Sequence, residues 1–195
     1  VASLKILIAG DSFAADWSIK YPEAHGWPNM LANEHEVTNV AEAGCGEYKI
    51  FQQLRKQELK DFDVVIVSHT SPYRIHTNFH PIHNQDKLHH NSDFIYEDCR
   101  AHGLTAIVEY FEKYYDLDYA RYVHTQICRD LHMVVSTQSN KSIHITHGDW
   151  EGLFNFHKML NFEELAKIEP GNTNHYSAGG NRLVFNMLKE RLASI

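Results

Sequence analysis

Three groups in this chain have the types that acyl transfer requires, and they lie far apart in sequence. The apolar run Lys5-Ile6-Leu7-Ile8-Ala9 ends in Gly10-Asp11-Ser12, so a strand gives way abruptly to a turn carrying a hydroxyl. In an open α/β sheet the carboxyl ends of the strands border the ligand crevice, which makes Ser12 a candidate nucleophile. Asn39-Val40-Ala41-Glu42-Ala43-Gly44 closes a second apolar run, and a glycine there lets a backbone N–H approach a developing oxyanion. Asn172-Thr173-Asn174-His175-Tyr176-Ser177 precedes a last helical stretch, where an imidazole can take the serine proton. Each has a plainer use: Asp and Ser cap helices, glycine suits any tight turn, and His175 is one of 15 histidines.

The hydrophobic pattern supplies the elements that would bring these groups together. Residues 4–9, 36–41, 64–68 and 142–146 read as buried strands rich in β-branched side chains. Between them, residues 27–33 read as a short helix, while Tyr48, Ile50, Phe51, Leu54 and Leu59 fall on one helical face. Alternating strands and helices predict a parallel sheet with right-handed crossovers. Residues 69–103 break the rhythm, being rich in His, Asn, Pro and Asp, and read as a long loop of the kind that forms lids. Residues 104–131 carry a helical stripe that bends or breaks near Asp116-Leu117-Asp118. Leu183, Val184, Met187, Leu188 and Leu192 mark a terminal helix whose first turn contains Gly179-Gly180, which implies a close backbone contact or a later start.

Length and composition set the limits. A chain of 195 residues with 43% hydrophobic side chains suits one domain and one core. A net charge of −7 and a pI near 6.1 argue against a nucleic-acid surface. Cys45, Cys99 and Cys128 have no C-x-x-C spacing, and no apolar run is long enough for a membrane span, so a reducing cytoplasm is the expected compartment. A leader removed before residue 1 would leave no trace. Oligomeric state is not written in the sequence.

Taken in order, these motifs resemble the SGNH hydrolase family, also called the GDSL esterases and lipases. Gly10-Asp11-Ser12 matches the family's first block, Asn39 with Gly44 its second, and His175 its last, over nearly the whole chain. The resemblance implies a flavodoxin-like three-layer α/β/α fold with Ser12 as nucleophile and His175 as base. It also implies that the N–H groups of Ser12 and Gly44 serve as oxyanion donors. After the third strand the family has Gly-x-Asn-Asp, whereas this chain has Ser68-His69-Thr70-Ser71-Pro72-Tyr73-Arg74, so the side-chain donor would have to be Thr70 or Ser71. Where the family has the Asp that orients the histidine, this chain has Asn172, whose amide accepts a hydrogen bond without bringing charge. Glu169 or a backbone carbonyl is the alternative orienting group.

Asp11, His69, Arg74 and Trp17 are the expected substrate contacts, with Arg74 suited to a polar or acidic acyl or sugar group. His76, His80, His83, His89 and His90 cluster in the loop, and their spacing fits a polar lid over the pocket better than a metal site. Trp27, Trp150 and Phe154 read as core or rim. No cofactor or metal is expected, and the partner is a small-molecule or glycan ester, with neither nucleic acid nor membrane insertion. The expected activity is a serine esterase cleaving small acyl esters, carbohydrate O-acetyl groups among them, through an acyl-enzyme on Ser12. The alternative is an SGNH-like domain of impaired catalysis that binds a glycan or other ligand in the same crevice.

Overall fold

Five strands pair in parallel in the order β2-β1-β3-β4-β5: β1 (Lys5–Gly10), β2 (Glu36–Asn39), β3 (Val64–Ser68), β4 (Ser142–Thr146) and β5 (Leu160–Asn161). The computed structural model describes residues 3–148, 159–168, 171 and 175–195. Around the sheet lie α1 (Trp27–Ala32), α2 (Glu47–Arg55), α3 (Tyr96–Ala101), α4 (Thr105–Lys113), α5 (Leu117–Gln138), α6 (Glu163–Ile168) and α7 (Ala178–Ala193). Strand side chains alternate between faces, so Ile6, Ile8, Val64 and Ile66 pack with Trp27 and Leu31 of α1 and Val184 and Leu188 of α7. Leu7, Ala9, Val65 and Val67 pack instead with Ile50 and Leu54 of α2 and Leu131 and Val135 of α5. Both faces are covered, which is why these strands read as continuous apolar runs. The result is the expected three-layer α/β/α arrangement, with the strand order reversing beside β1.

Several boundaries differ from the pattern-based reading for local reasons. β2 stops at Asn39 because its side chain turns to the backbone: Nδ2 donates to Ala14 O (2.8 Å), and Oδ1 accepts from Ala41 N (3.0 Å). The stripe over 104–131 is two helices, since Asp116 caps α5 by accepting from Asp118 N (3.0 Å) and Tyr119 N (2.9 Å). Ser177 caps α7 through Gly180 N (3.0 Å), so both glycines lie in its first turn. β5 has two residues, too short to show a period.

The segment read as one long loop ends in a short helix, α3, and is stitched to the turn after β2. Ala43 N donates to Leu88 O (3.2 Å), Asp93 N to Gly44 O (3.0 Å) and Ser92 Oγ to Ala43 O (3.2 Å). Gly44 has φ of +81°, and a Cβ on it would run into Ser92, so conformation and packing both demand glycine. Beneath these contacts, the Lys49 ammonium is buried and donates to Asp93 Oδ1 (2.8 Å), Asn91 O (2.6 Å) and Ser92 O (3.3 Å). Asp93 also accepts from Gly46 N (2.8 Å) and Thr77 N (2.9 Å), so both charges are fully hydrogen-bonded.

Removing one partner of such a pair strands the other charge. Lys49→Met should lower the unfolding free energy by about 3–5 kcal/mol, measured by urea denaturation. Lys60→Met, which removes an exposed pair with Glu58, should leave it nearly unchanged.

Candidate active site

Ser12 sits in a helical turn that its neighbours hold rigidly. Ala14 N and Ala15 N donate to Asp11 O (3.0 and 2.9 Å), and Asp11 Oδ1 accepts from Phe13 N (3.1 Å). The capping task suggested for this motif therefore belongs to Asp11. Trp17 Nε1 donates to Ser12 O (2.7 Å) and the buried Trp27 Nε1 to Phe13 O (2.8 Å). Before the turn, Gln53 exchanges two hydrogen bonds with the Gly10 backbone (2.9 and 3.2 Å). A Cβ on Gly10 would come within 2.6 Å of Ser68 Cβ, so β1 and β3 can approach this closely only at glycine.

Ser12 and His175 line one cleft of about 480 Å³, together with Phe13, Trp17, Tyr21, His25 and Tyr176. That volume suits a small ligand. His175 meets the Trp17 ring edge-on at 4.5 Å and the Phe13 ring at 5.2 Å, so aromatic walls flank the imidazole. Among the described residues the Ser12 hydroxyl makes no hydrogen bond; it shares the cleft with His175 without a direct bond to it. Trp17, expected as a substrate contact, is a wall of this cleft.

Other expected contacts are placed differently. Asp11 is buried, and its Oδ2 accepts from Thr70 Oγ1 (2.7 Å) and the Arg74 guanidinium (3.3 Å). Burial pushes the Asp11 carboxyl above its ordinary value, against the opposing pull of Arg74 and Thr70. Thr70 thus spends its hydroxyl proton on Asp11, and Ser71 Oγ accepts from Tyr73 N (3.1 Å), so neither hydroxyl is offered to the Ser12 cleft. Gly44 lies buried under Ser92 and does not line the cleft, although among the described residues its N–H donates to no acceptor. Asn172, Glu169, Trp150 and Phe154 lie outside the described residues.

His69 and Arg74, expected to face Ser12, serve a separate polar cluster. His69 is fully buried: Nδ1 meets Glu47 Oε1 (2.7 Å) and Nε2 meets His144 Nδ1 (2.9 Å). Glu47 Oε2 accepts from Thr70 N (3.0 Å), and His124 Nε2 donates to Thr70 O (2.8 Å). Burial opposes ionisation of Glu47, yet His69 and His124 hold its carboxyl well below the usual range. Arg74 and Ser71 line a second cavity of about 470 Å³ with Glu47, His124, Tyr110 and Tyr115. Glu47, His124 and His144 were not singled out in sequence, though a signal existed. His144 interrupts Ile143 and Ile145 in a strand, and His124 and Cys128 continue the buried stripe of Leu131 and Val135.

The fold and this strand-edge serine place the chain among the three-layer α/β/α proteins with a tight turn after their first strand. Within that class the chain has the SGNH/GDSL-type fold. It superimposes on a GDSL-like lipase from Bacteroides thetaiotaomicron with a TM-score of 0.50 and 9% identity, over 97% of this chain and 88% of that one. A Bacteroides fragilis protein provisionally assigned as an acylhydrolase gives a TM-score of 0.50 and 7% identity, over 97% and 86%. No family model matches the sequence, and no curated protein matches it.

Below the cleft, His147 stacks on Phe13 at 4.1 Å, meets Ser68 Oγ (2.9 Å) and bonds the Tyr176 hydroxyl. Burial drops its pKa from 6.5 to about 3. Between those values the unfolded chain binds a proton that the folded chain refuses, so this residue makes stability fall as pH falls. Its share should be about 1.4 kcal/mol per pH unit below 6.5. Urea denaturation from pH 7 to 4 should show a shallower acid loss for His147→Gln than for the wild type.

Proposed function

We propose that this chain is a serine ester hydrolase acting on small acyl esters through an acyl-enzyme on Ser12. The observation that carries the reading is the meeting of Ser12, after β1, and His175, before α7, in one cleft at the carboxyl edge of the sheet. His175 takes the Ser12 proton as Oγ attacks the ester carbonyl, then gives that proton to the departing alkoxide. Water next attacks the acyl-serine while His175 accepts its proton, and the acid leaves with Ser12 restored. The Ser12 N–H is the proposed oxyanion donor on the cleft wall. Trp17 and Phe13 flank the acyl group. An O-acetylated sugar is the proposed substrate, since the Trp17 and Tyr21 rings on the cleft wall offer stacking faces to a sugar ring.

A second reading is a glycan-binding domain of impaired catalysis. It is favoured by the commitment of the Thr70 hydroxyl to Asp11, because losing one oxyanion donor costs about 2.7–4 kcal/mol of transition-state stabilisation.

Hydrolysis of p-nitrophenyl acetate separates the two. Ser12→Ala and His175→Ala should each reduce kcat/KM by about 10³-fold or more. Equal rates for wild type and both variants would support the binding domain instead. In the enzyme, Asn172→Asp should raise kcat by about tenfold or more, because a carboxylate at that position stabilises the imidazolium. An unchanged rate would assign the orienting role to another group, such as Glu169 or a backbone carbonyl.

A further inference from the structure

The segment between β3 and α3 has little regular structure, yet it gathers imidazoles around one carboxylate. His83 Nε2 lies 3.1 and 3.2 Å from the two oxygens of Asp98, and His80 Nε2 lies 3.5 Å from Asp98 Oδ2. The three ligand atoms all fall within 4.8 Å of one another. A tetrahedral zinc with bonds of about 2.0–2.1 Å to nitrogen and oxygen sets its ligand atoms about 3.3–3.4 Å apart, close to these spacings. His80 supplies an independent sign of a ligand. It is 1% exposed, and its Nε2 is buried, turned toward Asp98 and hydrogen-bonded to nothing among the described residues. A buried imidazole nitrogen left in this way needs an explanation that the protein contacts do not give.

We propose that His80, His83 and Asp98 bind one zinc ion, which fastens the loop after β3 to α3. The His80 ring turns Nε2 toward the carboxylate, while the N–H groups of Ile82 and His83 approach Nδ1 at 3.3 Å each. Coordination through Nε2 moves the proton of neutral His80 to Nδ1 and gives up those two contacts, which are long for hydrogen bonds. His102 lies beside Asp98, but its Nδ1 is engaged with the Asp98 carbonyl (2.9 Å), so water fills the fourth position. The ion would join a loop residue to a helix residue 15 or more positions later, where few apolar side chains do that work. From His83 the packing continues through His89 (rings 5.4 Å apart) to Trp17 (5.8 Å), a wall of the Ser12 cleft. The buried trio Glu47, His124 and Cys128 is the rival site, but there Thr70 already bonds both Glu47 and His124.

The test uses the full chain, stripped with a chelator and titrated with Zn²⁺ and with Co²⁺. One ion per chain should bind, with the visible absorption of tetrahedral cobalt, and Zn²⁺ at 100-fold excess over Kd should raise Tm by about 5–10 °C. His83→Ala and Asp98→Asn should each weaken binding by at least about 100-fold, more than loss of an outer hydrogen bond does. The near-isosteric Asp98→Asn keeps the test valid should His83→Ala fail to fold, and Cys128→Ser should bind as the wild type does. Three results would overturn the proposal: a wild type that takes up no ion, undiminished binding in Asp98→Asn, or binding lost in Cys128→Ser with a thiolate-to-cobalt band in the wild type.

Discussion

The buried ammonium of Lys49 is the constraint from which the site is built. It draws Asn91, Ser92 and Asp93 of the long loop onto the first turn of α2, and Asp93 in turn fixes the Gly46 N–H where that helix begins. A pair of this kind adds little stability over a well-packed apolar one, but a wrongly placed partner leaves a charge buried alone. Its contribution is therefore to register. The loop can settle against the 43–46 turn in one arrangement, with Ser92 over Gly44, and that arrangement places Glu47 beneath Thr70.

From Glu47 the order passes to the Ser12 turn through hydrogen bonds alone. Glu47 accepts from the Thr70 backbone, the Thr70 hydroxyl donates to Asp11, and Asp11 caps the turn that presents Ser12. The two carboxyls are equally buried and respond in opposite directions. Glu47 faces two imidazoles and is held ionised, whereas Asp11 has a more distant guanidinium and its affinity for a proton rises. Surroundings, not residue type, divide them.

How far the sequence carried the reading depends on whether a feature is local. Strands β1 and β3 follow from burial on both faces, which makes each a continuous apolar run, β4 from a like run broken only by His144, and helix α7 from the buried stripe of Val184, Leu188 and Leu192. The break between α4 and α5 was legible in the capping aspartate at 116. Ser12, His175 and Trp17 were placed in one crevice because each adjoins an element whose end the pattern marks. Strand β5 and helices α3 and α6 span six residues or fewer, less than two helical turns, and carry no period to read. Thr70 and Arg74 pair with Asp11 across more than 50 positions, and Ser71 lines the other cavity, placements that sequence order does not give.

His69 is the instructive error, because its parity was visible. Val65 and Val67 point to the α2/α5 face, and the alternation continues one step past the end of β3, so His69 joins them there while Ser68 reaches His147, which bonds Tyr176, on the opposite side. The same alternation separates the two cavities. The Ser12 cleft opens with α1 and α7 residues such as Pro28 and Asn181, and the tyrosine-lined cavity opens against α2 and α5. Arg74 lines the second and reaches the first indirectly, through Asp11. Arg74 thus ties the second cavity to the turn that carries Ser12, since its guanidinium and the Thr70 hydroxyl share Asp11 Oδ2.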